Sequence, residues 1–536
     1  MGFSPPALWA SFRKWLREPP RALKAALVGL VLYRFALALV FPVFSDPGTY
    51  FIYAKAFAAD PGLYLERLWF PPPLVPLLGA LLVPWAGEVG LKLIAPAFGT
   101  LALLYTYRLG RHCYSERVGL LGAVLLGILP AHLHYSALGY LDAPVTAFCI
   151  MTLYHSHRAL EGGSRRDAWT AGAAAGLAAL SKETGAVAAA FIFFYFAVRA
   201  LRRRKIGAVS LRIALTALVA AGALASVYYV GHNYRLYGDL GITKSVGQEG
   251  LTNIGLPVPA PGEENAAFLA SISEANRGGG LALLPALLKQ NYLEAWGFPS
   301  GRADVIPLPG SLVLLYALST LLFVPLVLLG FGRGLTHPSK LLWLWVVLWA
   351  LAVVLVTAAL GQFFLLYSFR RLLPLAPVLA IFAALGWTVV REKLSPRKGL
   401  AGAVLVLLVL AGSAAAASEA GKAAVAVSYH GARADALAYL KALPPEARIM
   451  APDKDLVDYY SGRISLHLPW WKAEGLDAGA LRRLGVTHAV TDDGYLWFDL
   501  STYRRAFDDE VSRGVLRLAG IFGPVRIYEV PGAGVP

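Results

Sequence analysis

Long apolar runs recur along the chain from about residue 25 to about residue 417, and short polar segments separate them. A helix of about 20 apolar residues crosses the hydrocarbon core of a bilayer. The pattern therefore predicts a polytopic α-helical membrane protein with about 11 to 13 membrane helices, some of them short or re-entrant. The predicted spans are approximately 25–44, 89–107, 118–134, 141–158, 207–230, 310–331, 341–361, 372–390 and 399–417.

The apolar stretch 168–198 does not fit a single straight span. Its flanks, 158–167 and 199–205, are both rich in Arg, and basic loops of membrane proteins stay on the cytoplasmic side. A segment that returns to the side it came from has to turn, and the polar sequence SKETG at 181–185 interrupts this one. The pattern predicts a hairpin of two short helices that places Lys182 in the outer half of the membrane.

The chain changes character after residue 420, where charged residues return and apolar runs shorten. Runs of helical and strand type alternate there, which predicts a small extracytoplasmic α/β domain over 421–536. The membrane region is assigned to 1–420, with a first external loop at 45–73 and a large external loop at 232–308. Basic residues before the first span predict a cytoplasmic N-terminus, so the first loop and the C-terminal domain share the outer side.

Composition changes this picture little. Hydrophobic residues make up 57% and charged residues 15% of the 536, and the net charge is +16. Much of the basic excess lies in loops between spans, where it sets topology, so nucleic acid is not an expected partner. Cys113 and Cys149 are placed in a loop and in a span, which argues against a disulfide. The histidines show no metal-ligand spacing, and phosphate-binding loops and nucleophile elbows are absent from the sequence.

Two acids are candidates for catalysis because charged groups near the membrane are costly. Asp46 directly follows the first span and could take a proton from an acceptor, although Asp before Pro-Gly is also common in turns. Asp142 opens a predicted span as Asp-Ala-Pro, which fits a helix cap; on the same side as Asp46 it could instead share acid/base work or a divalent cation. Glu66 is a weaker third partner, and Tyr50 is an aromatic candidate for substrate contact.

Cationic side chains cluster at the predicted outer ends of spans, where they could hold a lipid phosphate. For the arginines, snorkelling to lipid headgroups is the alternative interpretation. That alternative is weak for Lys182, which interrupts an apolar hairpin. The candidates are Lys182, His232, Arg235, Arg370 and Arg371.

The order and spacing of these features resemble the GT-C glycosyltransferases, in the branch that contains protein O-mannosyltransferases and the lipid A aminoarabinose transferase. The resemblance covers roughly residues 25–390. It rests on SDPGTYFIYAKAF, FPPPLVPLLGAL, YTYRLGRHCYSERVGLLGAVLLGILPAHLHYSALGYLDAPVTAF, GLAALSKETGAVAAAFIFF, HNYRLYGD and YSFRRLLPLAPVLAIFAALG.

The resemblance implies an inverting glycosyltransferase, of class EC 2.4, that moves a monosaccharide from a polyprenyl-phosphate carrier to a protein, lipid or glycan acceptor. Its general base maps to Asp46, and its site faces the extracytoplasmic side of a prokaryotic cytoplasmic membrane. Pro47 stands where relatives often have a second acid. PWWKAEG differs from the WWDYG motif of oligosaccharyltransferases, which argues against en bloc oligosaccharide transfer. The alternative function is a transporter or flippase of lipid-linked sugar that makes no new bond.

Overall fold

The computed structural model describes most of the membrane region and the C-terminal domain. The described residues are 21–43, 46–62, 72–202, 208–234, 310–336, 341–360, 369–394, 398–463, 465–468, 477–493 and 501–532. The predicted site residues Glu66 and Arg235 and most of the loop 232–308 lie outside them.

The membrane region consists of helices, as the apolar runs predict. They are α1 Arg21–Val40, α2 Asp46–Ala59, α3 Leu74–Cys113, α4 Glu116–Ile128, α5 Pro130–Ala137, α6 Asp142–Gly162, α7 Arg165–Ser181, α8 Ala186–Arg202, α9 Ala208–Tyr228, α10 Gly310–Leu335, α11 Leu341–Leu360, α12 Phe369–Leu372, α13 Ala376–Leu394 and α14 Lys398–Gly431. Within the described residues, four helical stretches are long and apolar enough to cross a membrane, or five if the pair α4 and α5, bent by 67°, counts as one span. The predicted polytopic helical membrane fold is confirmed.

The predicted hairpin is present. Helix α7 ends at Ser181, Lys182 adopts an extended conformation, and a 3-10 turn at Glu183–Gly185 leads directly into α8. A Cβ on Gly185 would lie 2.1 Å from the carbonyl oxygen of Ala178. Glycine is therefore required for the chain to turn this tightly, and the turn holds Lys182 at the tip of the hairpin.

Helix α3 joins a short helical segment that begins at Leu74 to the predicted span at 89–107. The break between them is at Gly87, whose φ of 53° and ψ of −136° are not helical. Glycine reaches a positive φ without steric cost. The kink at Gly87 thus lets a short outer helix continue into a membrane span.

Helices α10 and α13 pack with direct backbone contact. A Cβ on Gly330 would lie 1.8 Å from the oxygen of Phe382, and one on Gly386 would lie 1.9 Å from the oxygen of Leu326. Small residues allow such close approach of membrane helices, which gains van der Waals contact. This contact anchors α13, and α12 precedes α13 by a single 3-10 turn, Leu373–Leu375.

The C-terminal domain is a five-stranded mixed sheet with helices on its faces. Its elements are α15 Ala434–Ala442, β1 Ile449–Ala451, α16 Lys454–Ser461, β2 Ser465–His467, α17 Ala478–Arg483, β3 His488–Asp492, α18 Ser501–Ser512, β4 Arg517–Phe522 and β5 Val525–Glu529.

Strand order in this sheet is β2-β1-β3-β5-β4. Strand β1 is parallel to β2 and β3, whereas β5 is antiparallel to β3 and β4. Alternation along the strands gives each face its own core: Ala489 and Tyr528 belong to one, and Val490 and Ile527 to the other. The predicted small α/β domain is confirmed. The boundary at residue 420 remains a prediction, and that residue lies inside the continuous helix α14.

Candidate active site

Asp46 is the first residue of α2 and the only acidic residue in the first turn of that helix. A carboxylate is favoured there because the helix N-terminus bears partial positive charge. Tyr50 lies one turn further along and donates its hydroxyl to Asp46 Oδ2 at 3.2 Å. The Asp46 side chain remains 39% exposed.

Asp142 begins α6 but does not cap it, since its side chain makes no capping hydrogen bond. Its Oδ1 instead accepts from Lys182 Nζ at 2.6 Å, and its Oδ2 accepts from Arg370 Nε at 2.7 Å. The side chain is only 1% exposed. The helix-cap interpretation of Asp142 is therefore wrong, because both carboxylate oxygens are used by cations from distant elements.

Arg370, on α12, connects the two acids. One of its terminal nitrogens pairs with Asp46 Oδ2 while its Nε holds Asp142. The guanidinium also lies 4.5 Å above the ring centre of Tyr140, a favourable cation–π contact. The first external helix, the start of α6, the hairpin tip and α12 thus meet at one place. Asp46, Asp142 and Lys182, which the sequence predicts on the same side of the membrane, therefore lie together.

Electrostatics keep Asp46 ionised. Burial disfavours its charged form, but the Arg370 guanidinium and Lys182 outweigh that cost, and the pKa of Asp46 is lowered below its ordinary value. Two carboxylates and two cations compensate one another in this cluster. Arg371, the next residue of α12, interacts electrostatically with Arg370, Asp142 and Glu183 and adds a further positive charge beside them.

His232 is buried in the π-helical turn Tyr229–Tyr234 at the end of α9, and its ring stacks on Tyr228 with centroids 5.8 Å apart. Tyr229 in the same turn donates to the carbonyl oxygen of Ala179 at 3.2 Å. The turn therefore packs against the hairpin near Lys182. The ring contact of His232 with Tyr228 lies within the same helical segment, and the assignment of His232 to substrate binding remains a prediction.

The residues do not fit a cation shared by Asp46 and Asp142. The guanidinium of Arg370 occupies the position between the two carboxylates and bonds to both. Both oxygens of Asp142 are already engaged. Positive charge at this site is supplied by side chains.

The C-terminal domain contacts the segment that carries Asp46, a contact that the sequence pattern did not predict. The Tyr460 hydroxyl accepts a hydrogen bond from the backbone N–H of Val43 at 3.0 Å. The Lys55 ammonium lies 4.0 Å from the ring centre of Tyr459, and that ring also contacts Phe51. Helix α16 thus packs directly on α2, the helix that begins at Asp46. The adjacent tyrosines in the sequence YYSGR, residues 459–463, are the feature that could have indicated this contact.

A buried polar network behind the site was also not predicted. Arg34, fully buried in the middle of α1, donates its Nε to Ser136 Oγ at 2.5 Å. On the neighbouring face of α5, His134 Nδ1 lies 2.7 Å from Glu419 Oε2, and Lys422 donates to the other oxygen at 2.6 Å. These bonds connect α1, α5 and α14. A charged residue inside a predicted span, as at Arg34, is the signal that could have indicated the network.

Comparison with known proteins gives matches of two kinds. The family model described as dolichyl-phosphate-mannose-protein mannosyltransferase matches residues 71–229. A search of the curated proteins finds no match.

Among solved structures, ArnT from Cupriavidus metallidurans bound to undecaprenyl phosphate has a TM-score of 0.57 at 14% identity, covering 97% of this chain and 100% of that one. The oligosaccharyltransferase AglB from Archaeoglobus fulgidus, in complex with an inhibitory peptide and a dolichol-phosphate, has a TM-score of 0.55 at 16% identity, covering 97% and 75%. The chain thus has the fold of the GT-C glycosyltransferases, and its predicted resemblance to the branch with the protein O-mannosyltransferases and the lipid A aminoarabinose transferase is confirmed.

Proposed function

We propose that the chain is a glycosyltransferase that moves a monosaccharide from a polyprenyl-phosphate carrier to an acceptor hydroxyl, with inversion at the anomeric carbon. One observation carries the proposal: a solvent-accessible carboxylate, Asp46, is joined through Arg370 to the buried carboxylate of Asp142, which also holds the partly buried Lys182. A base and phosphate-binding cations are thus side by side, which is the combination that this reaction needs.

The comparisons support the class of donor. The structure of ArnT holds undecaprenyl phosphate, and that of AglB holds a dolichol-phosphate. The matching family model is described by a dolichyl-phosphate-mannose donor. These proteins have the same fold as this chain, so a polyprenyl phosphate is the ligand we assign to its cationic residues.

Lys182 and Arg370 are the proposed phosphate ligands, with Arg371 beside them. An ammonium group has three donors, and Asp142 accepts one from Lys182. The phosphate can accept from Lys182 and compete with Asp46 for Arg370. Binding of the donor would thereby free the Asp46 carboxylate for an acceptor hydroxyl.

In the transfer step, Asp46 takes the proton of the acceptor hydroxyl as its oxygen attacks the anomeric carbon. A bond forms between that oxygen and the carbon, and the bond from the carbon to the phosphate oxygen breaks. The carrier leaves as a polyprenyl phosphate that takes the bonding electrons. Lys182 and Arg370 compensate the negative charge that develops on it, which stabilises the transition state.

Asp142 acts in this scheme as a positioning residue. The side chain of Asp142 is 1% exposed, so an acceptor cannot reach it. We therefore propose the positioning role for Asp142 in place of the catalytic or acceptor-binding role that the sequence predicted. Its two oxygens hold Lys182 and Arg370 in place beside Asp46. Such preorganisation is what makes electrostatic stabilisation effective.

We place this site on the extracytoplasmic face of a prokaryotic cytoplasmic membrane, as the distribution of basic loops predicts. The C-terminal domain would lie on the same face, and its contact through Tyr459 and Tyr460 with the α1–α2 segment is consistent with that. The acceptor is a protein, lipid or glycan hydroxyl that approaches Asp46 from outside.

The test is a product assay with the purified full chain in proteoliposomes. A panel of polyprenyl-phosphate monosaccharides is supplied together with envelope extract as acceptor, and released polyprenyl phosphate is quantified. We expect release that depends on both donor and extract. Movement of a lipid-linked sugar across the bilayer without released polyprenyl phosphate would instead establish the flippase function and overturn the proposal.

A further inference from the structure

We propose a second site, which binds one divalent transition-metal ion of the Zn²⁺ type, at the far end of the membrane helices from Asp46. Its ligands are His112 at the end of α3 and His157 and Glu161 on α6. The candidate ligand atoms all lie within 4.8 Å of one another. Among the described residues, no other three histidine, cysteine, aspartate or glutamate side chains bring their ligand atoms this close together.

The geometry is that of two imidazoles on either side of one carboxylate. His112 Nε2 lies 2.9 Å from Glu161 Oε2, and His157 Nε2 lies 3.1 Å from Glu161 Oε1. In a tetrahedral site with Zn–N and Zn–O bonds of 2.0–2.2 Å, the ligand atoms lie about 3.3–3.6 Å from one another, so a small outward movement of these side chains would admit the ion between them. Two histidines and a glutamate with a solvent position are a frequent ligand set for zinc.

The supporting contact is already in place. His157 Nδ1 lies 2.7 Å from the hydroxyl of Tyr195 on α8. Ligating histidines commonly use their second ring nitrogen for a hydrogen bond that fixes ring orientation. The contact directs Nε2 of His157 toward Glu161, as a metal ligand requires.

The site is accessible from water. His157 is 3% exposed in its side chain, whereas His112 is 33% and Glu161 46% exposed. One ligand is thus held rigidly and two face solvent, which leaves a path for the ion and a place for a water ligand. The basic loops 108–117 and 158–167, which the sequence places in the cytoplasm, carry this end of the molecule.

The distance from the catalytic cluster is large. Asp142 and Glu161 are at opposite ends of α6, and 19 residues of helix extend about 28 Å at 1.5 Å per residue. A metal here would not take part in sugar transfer. It would join the ends of α3 and α6, and through Tyr195 also α8, and so stabilise the helix bundle that holds the catalytic side chains.

The spacing of the histidines in the sequence does not by itself indicate this group. His157 and Glu161 are four residues apart and share a helix face. Their partner His112 is on another helix, so the set is visible only when α3 and α6 pack together.

The experiment uses full-length, untagged protein in detergent, because a polyhistidine tag binds zinc itself. The protein is stripped with a chelator, dialysed against ZnCl₂, and its zinc is counted by mass spectrometry. We expect one zinc per chain and a higher melting temperature with zinc than with magnesium. Stripped protein loaded with Co²⁺ should show the visible d–d absorption of a low-coordinate cobalt site.

Variants locate the ion. Glu161→Gln keeps the shape of the side chain, and His112→Ala removes an exposed ligand; both should lose the bound zinc and the cobalt spectrum. Tyr195→Phe should weaken zinc binding by about 10- to 100-fold, as loss of an outer-sphere partner typically does. Glu392→Gln, at an exposed acid on α13, and His488→Ala, in the C-terminal domain, serve as matched controls and should bind as the unchanged chain does.

Zinc content that is the same in Glu161→Gln and Glu392→Gln would overturn the proposal, as would unchanged chain that binds no zinc after loading. These outcomes are independent of glycosyl transfer, so the metal site and the proposed function can fail separately.

Discussion

Arg370 and Asp142 are 228 residues apart in the chain, and their side chains meet with Nε 2.7 Å from Oδ2. The same guanidinium pairs with Asp46. The buried acid thereby controls where the cation lies, and the cation controls the state of the exposed acid. The proposed function depends on these two contacts of Arg370, with Asp142 and with Asp46.

The role of Asp142 can be tested by Asp142→Asn. We expect kcat/KM for transfer to fall by about 100-fold, since a misplacement of about 1 Å in supporting groups can cost that much. Thermal stability should also fall, because two partly buried cations lose their counter-charge. Asp167→Asn is the matched control: it breaks a buried pair with His155, 2.7 Å apart, at the other end of the bundle. A similar loss of stability in both variants with unchanged kinetics in Asp142→Asn would contradict the positioning role.

Lys182→Gln should act on the donor. A hydrogen bond to a charged group contributes about 1.5 to 3 kcal/mol, so the KM for the polyprenyl-phosphate sugar should rise by about 10- to 100-fold. Steady-state kinetics over a range of donor concentrations measures this. Lys393→Gln, at an exposed position near the end of α13, should leave KM unchanged. An equal KM in the two variants would exclude Lys182 as a phosphate ligand.

The pH dependence follows from the lowered pKa of Asp46. A carboxyl whose folded pKa is depressed stabilises the fold above its unfolded pKa, and that contribution is lost as the pH falls through the folded value. Because its pKa is lowered, Asp46 should stay deprotonated down to a pH below the ordinary pKa of aspartate. Transfer should stay active over the same range. In Arg370→Gln the largest opposing cation is gone and burial raises the pKa. The acidic limb of the kcat/KM profile should then move to higher pH; a limb that stays in place would show that Arg370 does not control Asp46.

Much of the fold was predictable because a membrane helix is recognised by the length of its apolar run, and basic loops limit how such helices can be connected. The hairpin around Lys182 is an example, since its two Arg-rich flanks excluded a straight span. In the C-terminal domain, the strand-type runs ARIMAPD, THAVTDD and RIYEV correspond to β1, β3 and β5. Strands β2 and β4 were missed because their runs are short or interrupted, as by Gly520 in β4.

The site was predictable only as a set of candidates. Charge at membrane depth selected Asp46, Asp142, Lys182 and Arg370, which the structure brings into contact. Which acid is exposed and which is buried depends on packing between elements far apart in sequence, so Asp142 resembled a helix cap. Contacts such as that of Tyr459 with Lys55 leave no periodic pattern, because they join two domains through single side chains.

The contact between the C-terminal domain and α2 should matter for activity. Tyr459→Leu removes the cation–π contact with Lys55, which contributes about 0.5 to 2 kcal/mol, and loosens the helix that begins at Asp46. We expect faster amide hydrogen exchange in α2 and transfer slower by about 2- to 30-fold. Tyr439→Leu is the control, since that ring packs on Phe522 within the C-terminal domain. Exchange in α2 that is no faster than in Tyr439→Leu would contradict this coupling.

The most direct test of the account is the turnover of Asp46→Asn with saturating donor and acceptor. The change removes the base and keeps the shape of the side chain, so kcat should fall by about 10²- to 10⁴-fold, the usual contribution of general base catalysis. Asp60→Asn, at an exposed acid on the same external segment whose Oδ1 accepts from the Gly62 N–H at 2.9 Å, should retain normal turnover. Near-normal release of polyprenyl phosphate by Asp46→Asn would contradict the assignment of Asp46 as the base.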